Sequence, residues 1–180
     1  MHKPLPIGVD EFKKIREDGY YYVDKTLLIK KLIDSKGEVC LFIRPRRFGK
    51  TLALSMLRVF FEKEYDRNGA EIDKRSYFDG LAIMESGEEY SRKMGRYPVI
   101  SLSLKSAKQT DYKLAYGMLK RRIAEEFQRH SYVMDSIPVD NDRIRFEEIM
   151  NERGMRCSTR MLWHSCRVSC GNSMEKRRSC

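Results

Sequence analysis

Apolar residues recur at helical spacing in several stretches of the chain, and these stretches predict its helices. In "DKTLLIKKLIDSKG" the repeat ends at Gly37, a typical helix stop, and its members are Leu27, Leu28, Lys31 and Leu32. A helix that runs to about Tyr65 is predicted by a second stripe, formed by Leu54, Leu57, Phe60 and Phe61. A third helix covers "DYKLAYGMLKRRIAEEFQRH", with the stripe Leu114, Met118, Leu119, Ile123 and Phe127, and "DRIRFEEIM" predicts the last one.

Two other stretches are apolar without a helical period and predict strands. Val39–Ile43 is an unbroken apolar run, which favours burial on both faces within a parallel sheet covered by helices. "YPVISLSL", residues 97–104, predicts a second strand. Between the second helix and this strand, residues 66–97 are polar and broken by glycines, with one apolar cluster at "YFDGLAI". The predicted fold class is therefore α/β, with a parallel sheet flanked by helices.

The composition adds that the chain is globular. Its 180 residues suit one domain, and 41% hydrophobic with 34% charged residues is not the composition of a disordered segment. The first residues lack an apolar stretch after a basic start, and no apolar run approaches the length of about eighteen residues that a membrane span requires. We therefore expect a cytoplasmic protein.

The positive charge is concentrated in the last sixth of the chain. Residues 152–180 carry a net charge of +5, half of the total of +10. From about Gly154 the sequence "GMRCSTRMLWHSCRVSCGNSMEKRRSC" loses its acids and shows no stable periodicity, like an out-of-frame translation. The shifted reading frame permits "NALAFLS…YGKTPVVL", an amphipathic helix followed by a turn and a buried strand. We predict that residues 152–180 are a frameshifted or disordered tail; the alternative is a genuine basic tail.

The cysteines follow the same asymmetry, since four of the five lie in the tail. An odd number without a secretory signal argues against a disulfide framework. A zinc site is the alternative, although none of its candidates is spaced as C-x-x-C; they are Cys157, His164, Cys166 and Cys170. Cys40 lies in the first predicted strand, where we interpret it as a small buried hydrophobe.

The segment "RPRRFGKT", residues 44–51, follows the first predicted strand and opens the second predicted helix. In this order the loop's N–H groups and the helix N-terminus form a donor array for phosphate oxygens. Lys50 would neutralise the β- and γ-phosphates, and the Thr51 hydroxyl would bind Mg²⁺. Gly49 is required because a side chain would obstruct the approach of the backbone to the phosphates. The segment therefore predicts a site for a nucleoside triphosphate.

Three residues before Gly49 complete the candidate site. Arg46 and Arg47 would add charge-assisted contacts to the phosphates, with a solvated basic turn as the alternative. Phe48 joins them to Gly49 and is included in the predicted site. The segment begins with Arg44 where such loops normally have glycine, and the following proline biases Arg44 toward an extended backbone.

Three stretches of the sequence resemble the bacterial AAA-ATPase-like family: "LPIGVDEFKKIREDGYYYVDKTLLIKKLI", "LFIRPRRFGKTLALSMLRVFFE" and "YPVISLSLK". The resemblance covers roughly residues 4–151, and members of this family are often fused to a C-terminal PD-(D/E)XK nuclease-like domain. Their loop is usually written Arg-Pro-Arg-Arg-Phe-Gly-Lys-Thr. The resemblance implies a P-loop NTPase-like domain in residues 1–151, with ATP and Mg²⁺ as cofactors and with phosphate binding by Gly49, Lys50 and Thr51.

The signature "YYVDKT" of the same family also matches, at residues 21–26. Two roles stay open for its Asp24, Lys25 and Thr26. Asp24 or Thr26 would cap the first N–H groups of the next helix, or the three residues would contact the nucleotide.

Hydrolysis of ATP requires further residues than this loop. An acidic residue at the end of a second apolar strand must hold Mg²⁺, and another must orient the attacking water. "VISLSLK" ends in Lys105 without a carboxylate, and the family's strand of the type Leu-Ile-Asp-Glu-Tyr-Asp is absent from this chain. We therefore expect an incomplete sheet that binds ATP–Mg²⁺ without hydrolysing it. The alternative is a non-enzymatic basic module that binds nucleic acid or another partner, in which Arg46, Arg47 and the tail contact phosphates.

Overall fold

The computed structural model describes residues 3–45, 47–66, 68–104, 110–138 and 141–152. The chain divides into two compact units, Met1–Val99 and Ile100–Cys180. Residues 153–180 lie outside the described part, so the predicted tail and the four candidate zinc ligands have no structural account here. Within the described residues no group of three or more potential ligands is placed to hold a metal ion.

The first unit is built from short helices. Its elements in chain order are α1 (Phe12–Glu17), α2 (Leu27–Ser35), α3 (Lys50–Phe61), a 3₁₀ turn (Arg75–Tyr77), α4 (Ala82–Glu85) and α5 (Glu88–Ser91). The prediction of helices at α2 and α3 is confirmed, although α3 ends at Phe61 and not near Tyr65, because Glu62 turns to an extended backbone. The next residues pair briefly with the chain around Tyr97, which receives a hydrogen bond from Lys63 N and donates one to Phe61 O.

An aromatic cluster forms the core of the first unit. The ring of Phe78 lies 5.1 Å from that of Phe12 in α1 and 5.3 Å from that of Phe60 in α3. The other buried members are Ile29, Met56, Leu57, Leu81, Ile83 and Tyr90. Full burial of one such side chain contributes about 1.5–3 kcal/mol. The cluster therefore fixes α1 against α3, and with them the segment that precedes α3.

The second unit contains α6 (Tyr112–Arg129), a 3₁₀ turn (Ser131–Ser136) and α7 (Asn141–Met150). Asp111 caps α6, since its carboxylate accepts hydrogen bonds from Lys113 N and Leu114 N at 2.6 and 3.4 Å. The predicted stripe of α6 is buried only in its second half, at Ile123 and Phe127, whose ring lies 4.8 Å from that of Phe146 in α7. Of the helices in the described part of the chain, none combines the length and apolarity of a membrane span.

The prediction of a parallel sheet, and with it a P-loop NTPase-like sheet flanked by helices, is wrong. The described residues contain no strand and only two isolated bridges, Glu62–Tyr97 and Tyr65–Glu71. In the first predicted strand Val39, Leu41 and Ile43 are 79%, 80% and 83% exposed. An apolar run becomes a buried strand only if neighbouring strands pair with it, and no described residue forms a backbone hydrogen bond with residues 39–43. The interpretation of Cys40 as buried is wrong for the same reason, because this thiol is exposed.

Candidate functional site

The backbone of the segment before α3 is sharply turned. Gly49 precedes the helix with φ 68° and ψ 26°, and its carbonyl accepts the first helical hydrogen bond, from Ala53 N at 2.9 Å. Arg47 is also left-handed, with φ 66°. A non-glycine residue rarely adopts this conformation, which costs roughly 1–2 kcal/mol. Two left-handed residues within three positions thus turn the chain sharply just before α3.

The two residues after Gly49 carry the predicted ammonium and hydroxyl groups of the loop. Lys50 is the first residue of α3, and its Nζ donates a hydrogen bond to the carbonyl oxygen of Arg44 at 2.6 Å. Thr51 lies in the first helical turn and is exposed. Arg46, the other predicted phosphate contact, lies outside the described residues. The ammonium of Lys50 is therefore directed back across the segment that the sequence identifies as phosphate-binding.

A cavity of about 450 Å³ opens against this loop. Arg47, Phe48 and Gly49 line it on the loop side, and Lys25 contributes the other charged group. The remaining lining is apolar or aromatic, from Leu5, Pro6, Ile15, Tyr21, Tyr22, Val23, Leu52 and Ala53. No carboxylate lines the cavity in the described part of the chain, so its charged groups are all cationic.

Asp24 and Thr26 connect the segment before α2 to the start of α4. Asp24 Oδ1 accepts hydrogen bonds from Thr26 N and Thr26 Oγ1, each at 2.7 Å, and its Oδ2 accepts one from Ala82 N at 2.8 Å. Thr26 Oγ1 in turn accepts one from Ile83 N at 3.2 Å, and Thr26 is fully buried. Asp24 and Thr26 thus bond the first two N–H groups of α4. The cap of α2 that the sequence left open for them is not observed, because no side chain caps that helix and the N–H groups of Leu28 and Ile29 bond to backbone carbonyl oxygens.

These contacts set the charge state of Asp24. Partial burial raises the pKa of its carboxyl group, but the hydrogen bonds from Ala82 N–H and Thr26 outweigh burial and the pKa lies below its ordinary value. Because the pKa is lower in the folded than in the unfolded chain, the stabilising contribution of the carboxylate is present above the unfolded pKa. It is lost as the pH falls through the folded pKa.

Lys25 is the residue of this region whose role the sequence did not assign. Its Nζ lies 3.9 Å from the position that a Cβ on Gly49 would occupy, and its side chain lines the cavity. The neighbouring Tyr22 holds the segment against α3, through a contact of its hydroxyl with Met56 Sδ at 3.3 Å. The signature "YYVDKT" was the signal available in the sequence, but nothing in it indicates that Lys25 meets a loop more than twenty residues later.

Residues 6–161 of the chain match the family model described as predicted AAA-ATPase, the AAA-ATPase-like family. Since this match includes most of the chain, the chain belongs to that family. An uncharacterized protein in the vnfD 5' region of Azotobacter chroococcum mcd 1 is 40% identical over 102 residues, which are 56% of this chain. The chain spans about 17% of the length of this curated relative. No solved structure was found to match the chain.

Proposed function

We propose that the chain binds ATP–Mg²⁺ at the segment 47–51. The observation that carries the proposal is the left-handed Gly49 at the start of α3, next to a cavity lined by cationic and apolar side chains. Membership of a family of predicted AAA-ATPases supports a nucleotide as the ligand class. A helix N-terminus preceded by a turned backbone offers N–H groups and a partial positive charge, both of which favour phosphate.

Each loop residue has a distinct role in this proposal. Among the described residues other than the two neighbours of Gly49 in the chain, Lys25 alone comes within 4 Å of the place where a Cβ of Gly49 would stand, which supports access of a phosphate to the backbone there. Lys50 exchanges the carbonyl oxygen of Arg44 for a phosphate oxygen. The exposed Thr51 hydroxyl holds Mg²⁺, which neutralises charge between the phosphates when it is bound.

The cavity accommodates the uncharged part of the ligand. Small-molecule sites have volumes of roughly 300–1,000 Å³ and are lined mainly by apolar and aromatic side chains. The cavity meets both conditions, with about 450 Å³ and with Tyr21 and Phe48 among its lining residues. A nucleoside attached to phosphates on the loop would therefore find an apolar surface beside it.

Thermal unfolding tests the proposal. ATP–Mg²⁺ at about a hundred times its dissociation constant should stabilise the chain by about 2.7 kcal/mol, which raises the melting temperature. Lys50→Ala should abolish this ATP-dependent shift because it removes the ammonium that binds the phosphates. Lys31→Ala on α2 is the matched control, since it removes the same charge from an exposed position outside the cavity. An equal shift in the Lys50 variant and the wild type would contradict the proposal.

The same samples separate binding from turnover and from simple charge attraction. We expect no Mg²⁺-dependent phosphate release above the level of Lys50→Ala, because no carboxylate lines the cavity within the described residues. Binding to a basic surface alone would weaken with salt and would not depend on Lys50. A shift that salt removes and that Lys50→Ala leaves intact would favour the basic module over the nucleotide site.

A further inference from the structure

We infer that Lys25 is a second phosphate-binding lysine. It belongs to the segment before α2 and would bind the same ligand as Lys50 at the start of α3. This inference rests on the proposed function of the loop and adds a residue from a separate element. Its starting point is the position of the Lys25 ammonium, 3.9 Å from the place of a Cβ on Gly49.

The backbone of Lys25 is fixed on both sides. Asp24 before it is bonded to Ala82 N, and Thr26 after it is buried and bonded to Ile83 N. The side chain between them is exposed, and it reaches the loop and not the α4 side, where Asp24 is engaged. A long side chain on a fixed backbone loses less conformational freedom when it binds than one on a mobile segment. The hydrogen bonds of Asp24 and Thr26 therefore prepare Lys25 for a contact at Gly49.

The charges around Gly49 favour an anion. Lys25 and Arg47 line the same cavity, and Lys50 follows Gly49 at the start of α3. No described carboxylate forms an ion pair with Lys25, and none lines the cavity. Like charges that are gathered without a counter-charge raise the free energy of the fold, and a bound anion reverses this effect. The arrangement is thus complementary to a group with several negative charges.

Two ammonium groups on separate elements also define the ligand class. Lys50 belongs to α3 and Lys25 to the segment before α2, so the site presents cations from two separate elements. A chain of two or three linked phosphates offers enough oxygens for both lysines and for the backbone N–H groups. The site should therefore discriminate between nucleoside di- or triphosphates and monophosphates, and Lys25 should carry part of that discrimination.

Amine acetylation of the full-length wild-type chain tests this inference directly. Acetic anhydride modifies exposed lysines, and mass spectrometry measures the rate at each lysine with and without ATP–Mg²⁺. We expect ATP–Mg²⁺ to slow modification of both Lys25 and Lys50 and to leave the exposed Lys31 unchanged. Protection of Lys50 without Lys25 would overturn the inference and leave the proposed function standing. Protection of neither lysine would overturn both.

Binding measurements supply the second test. Lys25→Gln should weaken the affinity for ATP–Mg²⁺ about tenfold, the loss expected for one charge-assisted contact, and should weaken the affinity for AMP less. Lys31→Gln is the matched control and should change neither affinity. The melting temperature of Lys25→Gln without ligand should not fall below that of the wild type, because no described ion pair is lost and repulsion among the cations decreases. Equal losses in both variants would show a general charge effect and would overturn the inference.

Discussion

Arg47 and Gly49 share a left-handed backbone, with φ values of 66° and 68°. For Gly49 this conformation is free of steric cost, whereas for Arg47 the Cβ crowds the following carbonyl. Strain of this type persists only where the surrounding structure imposes it, and it is concentrated at binding sites. Arg47 lines the cavity, and the helix that follows it, α3, is anchored in the core through Met56, Leu57 and Phe60.

Replacement of Arg47 by glycine separates strain from charge. The glycine removes about 1–2 kcal/mol of backbone strain from the folded chain. It also destabilises the fold by about 0.4–1 kcal/mol, because glycine raises the conformational entropy of the unfolded chain. Arg47→Ala removes the same charge but retains the strain. We therefore expect Arg47→Gly to be more stable than Arg47→Ala, by about 0.5–1 kcal/mol in urea unfolding. Equal stability of the two variants would show that the left-handed turn carries no strain.

The sequence predicted the loop but not its neighbour in space. Gly49, Lys50 and Thr51 could be proposed as a phosphate site from the sequence, because their spacing and their place before a helix indicate that chemistry by themselves. For Lys25 the sequence offered nucleotide contact only as one of two open roles. The place of its ammonium beside Gly49 depends on a backbone that Asp24 and Thr26 fix through their bonds to α4. A contact that depends on a distant segment cannot be predicted from local periodicity or composition.

The helices α2, α3, α6 and α7 were predictable because each is specified locally, whereas the short helices α1, α4 and α5 were not predicted. The stripe in α3 placed Leu57 and Phe60 in the core, and Gly49 marked the start of this helix. The two predicted strands were wrong because a strand depends on partners elsewhere in the chain. The unbroken apolar run at residues 39–43 has the composition of a β-strand, but it does not specify which part of the chain would pack on it. In the described residues nothing pairs with that segment.

The Thr26 hydroxyl supplies one of the two hydrogen bonds that join the start of α4 to the segment before α2. Thr26→Val keeps the shape of the side chain but leaves Ile83 N–H buried without its acceptor. We expect a loss of about 1–3 kcal/mol in the free energy of unfolding, measured with urea. Thr26→Ser keeps the hydroxyl and serves as the control, and its loss should be smaller. If the serine variant lost more stability than the valine variant, packing of the methyl group and not the hydrogen bond would hold the junction.

The surface of the first unit carries an apolar segment beside the candidate site. Val39, Leu41 and Ile43 are each about four-fifths exposed, and they lie within five consecutive residues just before the loop. Consecutive exposed apolar residues with β-type side chains and without hydrogen-bond partners promote association between chains. We therefore expect this segment to determine the tendency of the chain to associate at high concentration more than the net charge does.

A lysine inside the segment tests this expectation. Leu41→Lys should lower the tendency of the chain to associate, because a charge within such a segment opposes pairing with a second copy. Static light scattering over a concentration series measures the effect. Ile144→Lys makes the same change at an exposed position of α7, where we expect little effect. Equal improvement in both variants would attribute association to net charge alone.

The hydrogen bond between Asp24 and Ala82 joins residues 58 positions apart, and the chain between them contains α2, the loop and α3. A contact between residues so far apart closes a long stretch of chain, which costs conformational entropy. It therefore forms only after the intervening helices have lowered that entropy. We expect it to be absent from the folding transition state, so that its loss accelerates unfolding more than it slows folding. The lifetime of the arrangement around Lys25 and Gly49 would then be set by how fast the Asp24 contact opens.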